Sequence, residues 1–371
     1  MASYLDADAI ADLVYSTTKD MSKKTKHRWT DLTSDIQEYH YLPKILKNEK
    51  VLYAGSRGPQ FQIMKDDSGA ASYAGLYHVD SVEQTDVMTN GSLDWRHART
   101  YWIYDELEEA INSGDENVIF DLIKVRRAAS FISLAKKLEE TWWSAPPSAT
   151  DTITPRGYGY YVVKWPAGAT TPTNPGNTFL GTNPICQDSA EITAGAANVS
   201  STTYPRWANW AAQYVNITPE DAVRRMREAA MYTMFKSPIT MPNYKRGDDR
   251  YGIYTTAAVR LGLEDLALKQ NDSARNDLGY TDGLVTFHRR EINWVPQLDS
   301  DTGAPIIGLN WAHIWPYFQR GWYLKESKPA RSNSLGHTVK ECWVDLTVNT
   351  ACDNRRAHWI LSTKSSTGTT S

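Results

Sequence analysis

The residues best suited to chemistry are two groups of acids beside aromatics. Asp105, Glu106, Glu108 and Glu109 lie next to Tyr101, Trp102 and Tyr104, and Glu139-Glu140 precede the pair Trp142-Trp143. Two carboxylates flanking a bond, with an aromatic platform beneath the sugar, is the arrangement of a glycosidase. The spacing argues against it. Acids at 105, 106, 108 and 109 on a helix fan around its axis, and adjacent Glu139 and Glu140 point apart. Both groups read as the wet face of a helix.

Other chemistries fit no better. Ala54-Gly55-Ser56-Arg57-Gly58 approaches a nucleophile elbow, but Pro59 and strand-like "QFQIM" follow where a helix should begin. "RGYGYYV" has Gly157-x-Gly159 without the third glycine or the following helix of a dinucleotide site, and reads as strand. The eight histidines form no i, i+4 pair and no H-E-x-x-H. His97, in "WRHART", is expected to be hydrogen-bonded rather than ligating. No catalytic residue, cofactor or metal is expected.

Composition points the same way. The 371 residues carry 40 basic and 43 acidic side chains, a net charge of −3, so no global field marks a nucleic-acid binder. Trp (14) and Tyr (21) greatly outnumber Phe (7), which suits half-wet surfaces: carbohydrate sites or subunit contacts. Three scattered cysteines (186, 342, 352) make no Cys-x-x-Cys and no disulfide framework, implying a reducing compartment. "MASYLDADAIADLVYS" lacks a basic n-region and an apolar h-region, so no signal peptide is expected. No apolar run is long enough to span a membrane. The sequons at Asn90, Asn198, Asn216 and Asn271 are then expected to carry no glycan.

The elements that must position these residues are α+β. "LDADAIADLVYSTTKD" reads as a short amphipathic helix, followed by basic Lys23, Lys24, Lys26 and Arg28 and a weak helical stretch near 34–47. This arm buries little alone and needs something to lie on. "QFQIM", a "KDDSGA" turn and "SYAGLYHVDSVEQTDVM" read as a projecting β-loop, and the second half of 92–114 as helix ended by Gly114. The strongest helix spans 115–141: Val118, Leu122, Val125, Ala129 and Ile132 recur at four and three, giving a strut of about 40 Å. Pro146-Pro147 stop it, so the Trp pair reads as a hinge with one indole buried and Trp143 nearer a subunit contact. A Pro/Gly/Thr-rich section (144–205) follows. A helix opens at Thr218-Pro219-Glu220, and another is expected in "YTTAAVRLGLEDLALKQ". From 283 strands return, the last alternating Cys342, Val344, Leu346 and Val348 against polar neighbours.

Three long segments carry a resemblance: "DSVEQTDVMTNGSLDWRHARTYWIYDELEEAINSGDENVIFDLIKVRRAASFISLAKKLEETWW", "YPRWANWAAQYVNITPEDAVRRMREAAMYTMF", and "PIIGLNWAHIWPYFQRGWYLKES" with "CDNRRAHWIL". In content and order they resemble the major capsid protein of tailed bacteriophages, the Hong Kong 97-type fold. The resemblance implies an N-terminal arm (1–50), an extended β-hairpin loop (51–92), a peripheral domain with its spine helix (93–145) and an axial domain (146–324). C-terminal strands (325–371) would return to the peripheral domain. It implies pentamers and hexamers of one chain forming an icosahedral shell around double-stranded DNA, in a virion assembled in the host cytoplasm. It implies no membrane, a portal protein at one vertex, room for a decoration protein, and a separate scaffolding protein, since about 50 residues leave no space for a fused one. Subunit contacts are expected from Lys23, Lys24, Lys26, Arg28, Phe61, Ile63, Lys65, Tyr73, Tyr77 and Trp143. Lys65 lies where some members crosslink, but no Asn or Glu partner can be matched to it. The alternatives are a carbohydrate-active enzyme or lectin using the Trp/Tyr surface, and a bacterial nanocompartment shell protein of the same fold.

Overall fold

The computed structural model describes residues 39–43, 51–53, 57–64, 71, 73, 75–76, 86–107, 116–165, 181, 183–233, 251–269, 278–281, 284–288, 290–331 and 337–364, to which all structural statements refer. In chain order the elements are β1 (Val51–Tyr53), β2 (Gln60–Met64), β3 (Met88–Ser92), β4 (Arg96–Asp105), α1 (Glu116–Trp142) and α2 (Tyr158–Tyr161). Next come β5 (Trp210–Tyr214), a π-turn (Pro219–Val223) leading into α3 (Arg224–Thr233), β6 (Tyr251–Thr255), α4 (Ala257–Lys269), β7 (Leu278–Thr281), β8 (Leu284–Phe287) and β9 (Arg290–Trp294). The chain closes with β10 (Ile306–Asn310), β11 (Ile314–Gln319), β12 (Lys325–Glu326), β13 (Ala330–Arg331), β14 (Val339–Cys352) and β15 (Trp359–Thr363).

Two sheets organise the molecule. The first is built on the 14-residue β14, which pairs with β4 along one edge and with β11, β12 and β13 in succession along the other. β1 joins it in parallel beside β11. The second runs β5-β15-β10-β6-β9-β8-β7. The alternation read in the sequence sets the face of β14: Cys342, Val344, Leu346 and Val348 are all buried. On that face α1 lies across β4, where Thr100 Oγ1 donates to the Ser130 carbonyl (3.3 Å). Arg127 clamps Glu326 with two hydrogen bonds (3.0 and 2.7 Å), and the Trp102 indole donates to the same carboxylate. α3 and α4 cover the second sheet, burying Met226, Ala229, Val259 and Leu263 against Trp210, Ile253, Ile292 and Ile306.

Sheet membership departs from the expected segmentation. β1 belongs to the first sheet rather than to the loop at 51–92, and so does β11, inside the expected 146–324 unit. The C-terminal section divides: β14 returns beside β4, but β15 inserts into the second sheet between β5 and β10. "RGYGYYVVKW" is not a strand. Residues 158–161 form one helical turn, and Tyr158 to Trp165 are buried throughout. A run buried on every side has no periodicity to distinguish helix from strand.

"QFQIM" pairs with Met88–Ser92, so its partner strand starts at the last residue of the expected "SYAGLYHVDSVEQTDVM", of which residues 77–85 fall outside the described residues. The expected turn at 65–70, the helix at 5–20, the helical stretch near 34–47 apart from residues 39–43, and Gly114 fall outside the described residues. Asp105 ends β4 instead of lying on a helix, and accepts from the Leu107 amide (2.9 Å); Glu106 and Leu107 are helical, Glu106 pairs with Lys340 (2.7 Å), and Glu108 and Glu109 fall outside the described residues. That lysine, by hydrogen bond and charge, holds the Glu106 carboxyl below its ordinary range.

Candidate functional site

The densest polar and aromatic constellation lies at the C-terminal end of α1. Pro146-Pro147 end the helix, and the indoles of Trp142 and Trp143 enter the core at 2% and 3% exposure. The expected division of the pair therefore fails: Trp143 is interior, packed 4.9 Å from Tyr254, and no surface contact is open to its side chain. Trp142 stacks on Tyr41 (4.1 Å between centroids, 6° between planes) and on Trp311 (5.8 Å).

Glu139 corrects the wet-face expectation. Its carboxylate is 1% exposed and accepts from four donors. These are the amides of His40 (3.0 Å), Tyr41 (3.0 Å) and Leu42 (3.1 Å), and the Trp143 indole (2.8 Å). Three successive amides around one carboxylate form an anion-binding nest, here filled from within the chain. Glu139 thus ties 39–42, the start of the described chain, to the end of the strut. Tyr41 adds a hydrogen bond with Thr350 (2.7 Å), and its burial raises its phenol pKa. Glu140 points elsewhere, so the two acids share no substrate position.

A second buried network joins the sheets. Arg355, fully buried, donates to the carbonyls of Tyr161 (2.7 Å) and Trp207 (2.8 Å) and weakly to Asn209 (3.4 Å). Burial lowers its pKa to about 10, so it stays charged at neutral pH. Lys164 and Asp301 form a buried ion pair (2.6 Å). Cys352 Sγ lies 3.3 Å from His358 Nε2, which invites a nucleophilic reading. The geometry refuses it. The Asn310 amide donates to His358 Nδ1 (3.1 Å), so the ring hydrogen sits on Nε2 and faces the sulfur; the imidazole cannot take the thiol's proton. Burial, with His313 and Arg355 nearby, lowers the His358 pKa to about 3, and burial, with Asp353 nearby, pushes the Cys352 thiol far up. Cys186 and Cys342 are pushed to about 11 and about 12, also chiefly by burial. Among the described residues no three His, Cys, Asp or Glu gather as a metal site, and no helix is long and apolar enough to cross a membrane. His97 is hydrogen-bonded to Thr347 (3.0 Å) and Asp345 (3.1 Å), as expected.

The remaining candidates concern the β2–β3 hairpin. Its root is anchored, not free. Ile63 is buried with Val199 and Trp207, and Phe61 packs on the same cluster. Ser92 donates its amide to the Ala197 carbonyl (2.9 Å) and receives the Asn198 side chain (2.9 Å). Ala197 and Asn198 both have positive φ (56° and 60°), the turn that presents these groups. Gly58 is required here, since a Cβ would lie 1.6 Å from the Leu93 carbonyl oxygen. Beyond the root, Tyr73 and Leu76 are exposed at 107% and 94%. Lys23, Lys24, Lys26, Arg28, Lys65 and Tyr77 lie outside the described residues. Sequence reasoning read Glu139 as a wet-face acid and missed Arg355 and Asn209; none of the three carries a motif.

No known family profile and no curated protein matches the sequence. Solved structures do match, over nearly the whole chain. A chain of the cyanophage A-1(L) capsid asymmetric unit is 12% identical at a TM-score of 0.55, covering 91% of this chain and 96% of that one. A chain of Gordonia phage Cozz is 9% identical at 0.50, covering 95% and 94%. A chain from the capsid of a native GTA particle is 8% identical at 0.50, covering 92% and 97%. The chain has an α+β fold related to the Hong Kong 97-type capsid fold.

Proposed function

We propose that this chain is the major subunit of an icosahedral viral shell, assembling as pentamers and hexamers around double-stranded DNA. The observation that carries the reading is the end-to-end likeness: the fold corresponds along its length to chains from capsids, with neither partner left with a large unmatched domain. Two features of the chain support it. Its polar constellations are consumed in joining its own parts, and the two most exposed of its large apolar side chains, Tyr73 and Leu76, lie between β2 and β3. Such groups are buried when copies meet.

In this reading α1 is the spine of a peripheral unit made of β1, β4 and β11–β14. The axial unit holds β5–β10, β15, α3 and α4. The β2–β3 hairpin is the root of the extended loop, and residues 1–50 are the arm. Scaffolding, portal and decoration proteins and assembly in the host cytoplasm belong to the same proposal. Negative-stain microscopy with light scattering tests it, on the chain alone and with a scaffolding partner. Closed shells or capsomers are expected; monomers of 41.9 kDa under every assembly condition would overturn it.

A further inference from the structure

The turn that follows α1 gathers more positive charge than it answers. Asn349 of β14 accepts from the Arg156 amide (3.1 Å) and donates to the Asp94 carbonyl (2.7 Å), which brings the start of β4 beside the chain entering α2. Arg96 and Arg156 meet there, at 6% and 9% exposure. Both donate through Nη2 to one acceptor, the Asp151 carbonyl (3.3 and 3.0 Å), so the two guanidinium groups lie side by side. Arg96 Nε and Arg156 Nη1 are buried with no hydrogen-bond acceptor among the described residues. The Tyr160 ring covers one face of the Arg156 guanidinium (4.7 Å), which leaves its in-plane N–H groups to find a partner.

The acids nearby do not balance the pair. The Asp151 carboxylate is engaged by the amides of Ile153 (3.1 Å) and Thr154 (3.1 Å), and it stands 3.8 Å from Arg156 Nη1, beyond hydrogen-bond range. Asp94 and its partner Arg57 (3.9 Å) are both exposed. Burial and the neighbouring Arg156 lower the Arg96 pKa, against the opposing pull of Asp151 and Asp94. A buried cation without a hydrogen-bonded counter-charge is costly. Water supplies acceptors but no charge; an anion supplies both. The planar forks of two guanidinium groups suit an oxyanion, which presents several acceptor oxygens at once. Side chains this deeply buried are reached by a small free ion and not by a duplex backbone.

We propose that Arg96 and Arg156 hold one small inorganic oxyanion of the phosphate class, which takes the free N–H groups of both and fastens the exit of α1 to β4. The site belongs to the single chain and does not rest on the shell reading.

The test compares the full chain with Arg96→Met, in chloride buffers of matched ionic strength with and without inorganic phosphate. Without phosphate, Arg96→Met is expected to melt at or above the parent, because one of two like buried charges is gone. Phosphate should raise the parent's melting temperature by about 2 °C for each tenfold excess over its Kd in a chain of 371 residues. Arg96→Met should show only the small rise that any excluded anion gives. The phosphorus NMR line of phosphate should broaden with the parent and not with the variant. Equal phosphate responses of the two chains overturn the site, and so does a parent that leaves the phosphate line unbroadened. If Arg96→Met does not fold, Arg156→Lys decides. It keeps the charge but not the fork, and should weaken phosphate binding about tenfold or more; unchanged affinity overturns the site.

Discussion

Replacing Glu139 sets two effects against each other, and their magnitudes decide the sign. Glu139 sits in the last turn of α1, where the helix dipole disfavours a negative charge by about 0.3–1 kcal/mol. Were that the main influence, Glu139→Gln would stabilise the protein. The geometry predicts the opposite. The carboxylate accepts four hydrogen bonds of 2.8–3.1 Å while 1% exposed, and each hydrogen bond to a charged acceptor contributes about 1.5–3 kcal/mol. The four are not additive, because they share one acceptor group and one docked segment. Glutamine keeps one oxygen and turns an N–H₂ toward amides that are also donors, so a loss of about 2–3 kcal/mol is expected. Alanine frees all four donors, for about 3–5 kcal/mol. Urea unfolding measures the global term, and amide exchange at residues 40–42 measures local release of the segment. The reasoning fails if Glu139→Ala costs under about 1 kcal/mol while those amides stay protected.

Three further outcomes are expected. Trp142→Ala should cost about 3–5 kcal/mol, since its indole is buried between Tyr41 and Trp311. Trp142→Phe should cost much less, because the indole nitrogen has no acceptor among the described residues; equal losses in urea midpoints would refute this. His358 is neutral when folded, with its pKa depressed to about 3, whereas the unfolded chain protonates near the ordinary value of 6.5. Its stabilisation is therefore complete above about pH 6.5 and declines as pH falls toward about 3, by up to about 1.4 kcal/mol per unit. His358→Asn should flatten the fall in urea midpoint between about pH 6.5 and 5, and an unchanged slope would refute the assignment. Deleting residues 1–28 should leave a folded chain that assembles poorly or wrongly, with normal particles from that chain the contrary result.

The parts of the fold legible in the sequence were those with one wet side. α1 was expected at 115–141 and spans 116–142; its extent was legible but its inner face was not, since Val125 and Ala129 are exposed while Ser130, Leu134, Glu139 and Trp142 are buried. β14 was legible from its middle, where Cys342, Val344 and Leu346 are buried in alternation, although every residue from Leu346 to Cys352 is buried. What escaped was wet on no side. Tyr158–Trp165 gave no period, and β15, nearly all buried, gave no clue that it leaves the first sheet for the second. Glu139 escaped differently. A carboxylate among Lys136, Lys137 and Glu140 is statistically surface, and only the backbone amides of residues 98 or 99 positions away reveal that it is not.

These hidden polar groups explain why the two sheets hold one arrangement. Apolar burial is non-directional, so packing Trp142, Tyr254 and Trp311 together tolerates sliding. A guanidinium donating to carbonyls of Tyr161 and Trp207, which precede and follow the 166–180 stretch, does not. Nor does a carboxylate held by three consecutive amides. Trp207 also packs at the root of the β2–β3 hairpin, so the Arg355 network reaches the place where the arm departs. Glu139 performs the same service for residues 39–42, beyond which the N-terminal segment begins. Both segments proposed to join copies therefore leave from places held by buried, directional hydrogen bonds. In a shell this matters more than the net energy of either network, because a small angular error at the root of an arm becomes a large displacement at its tip.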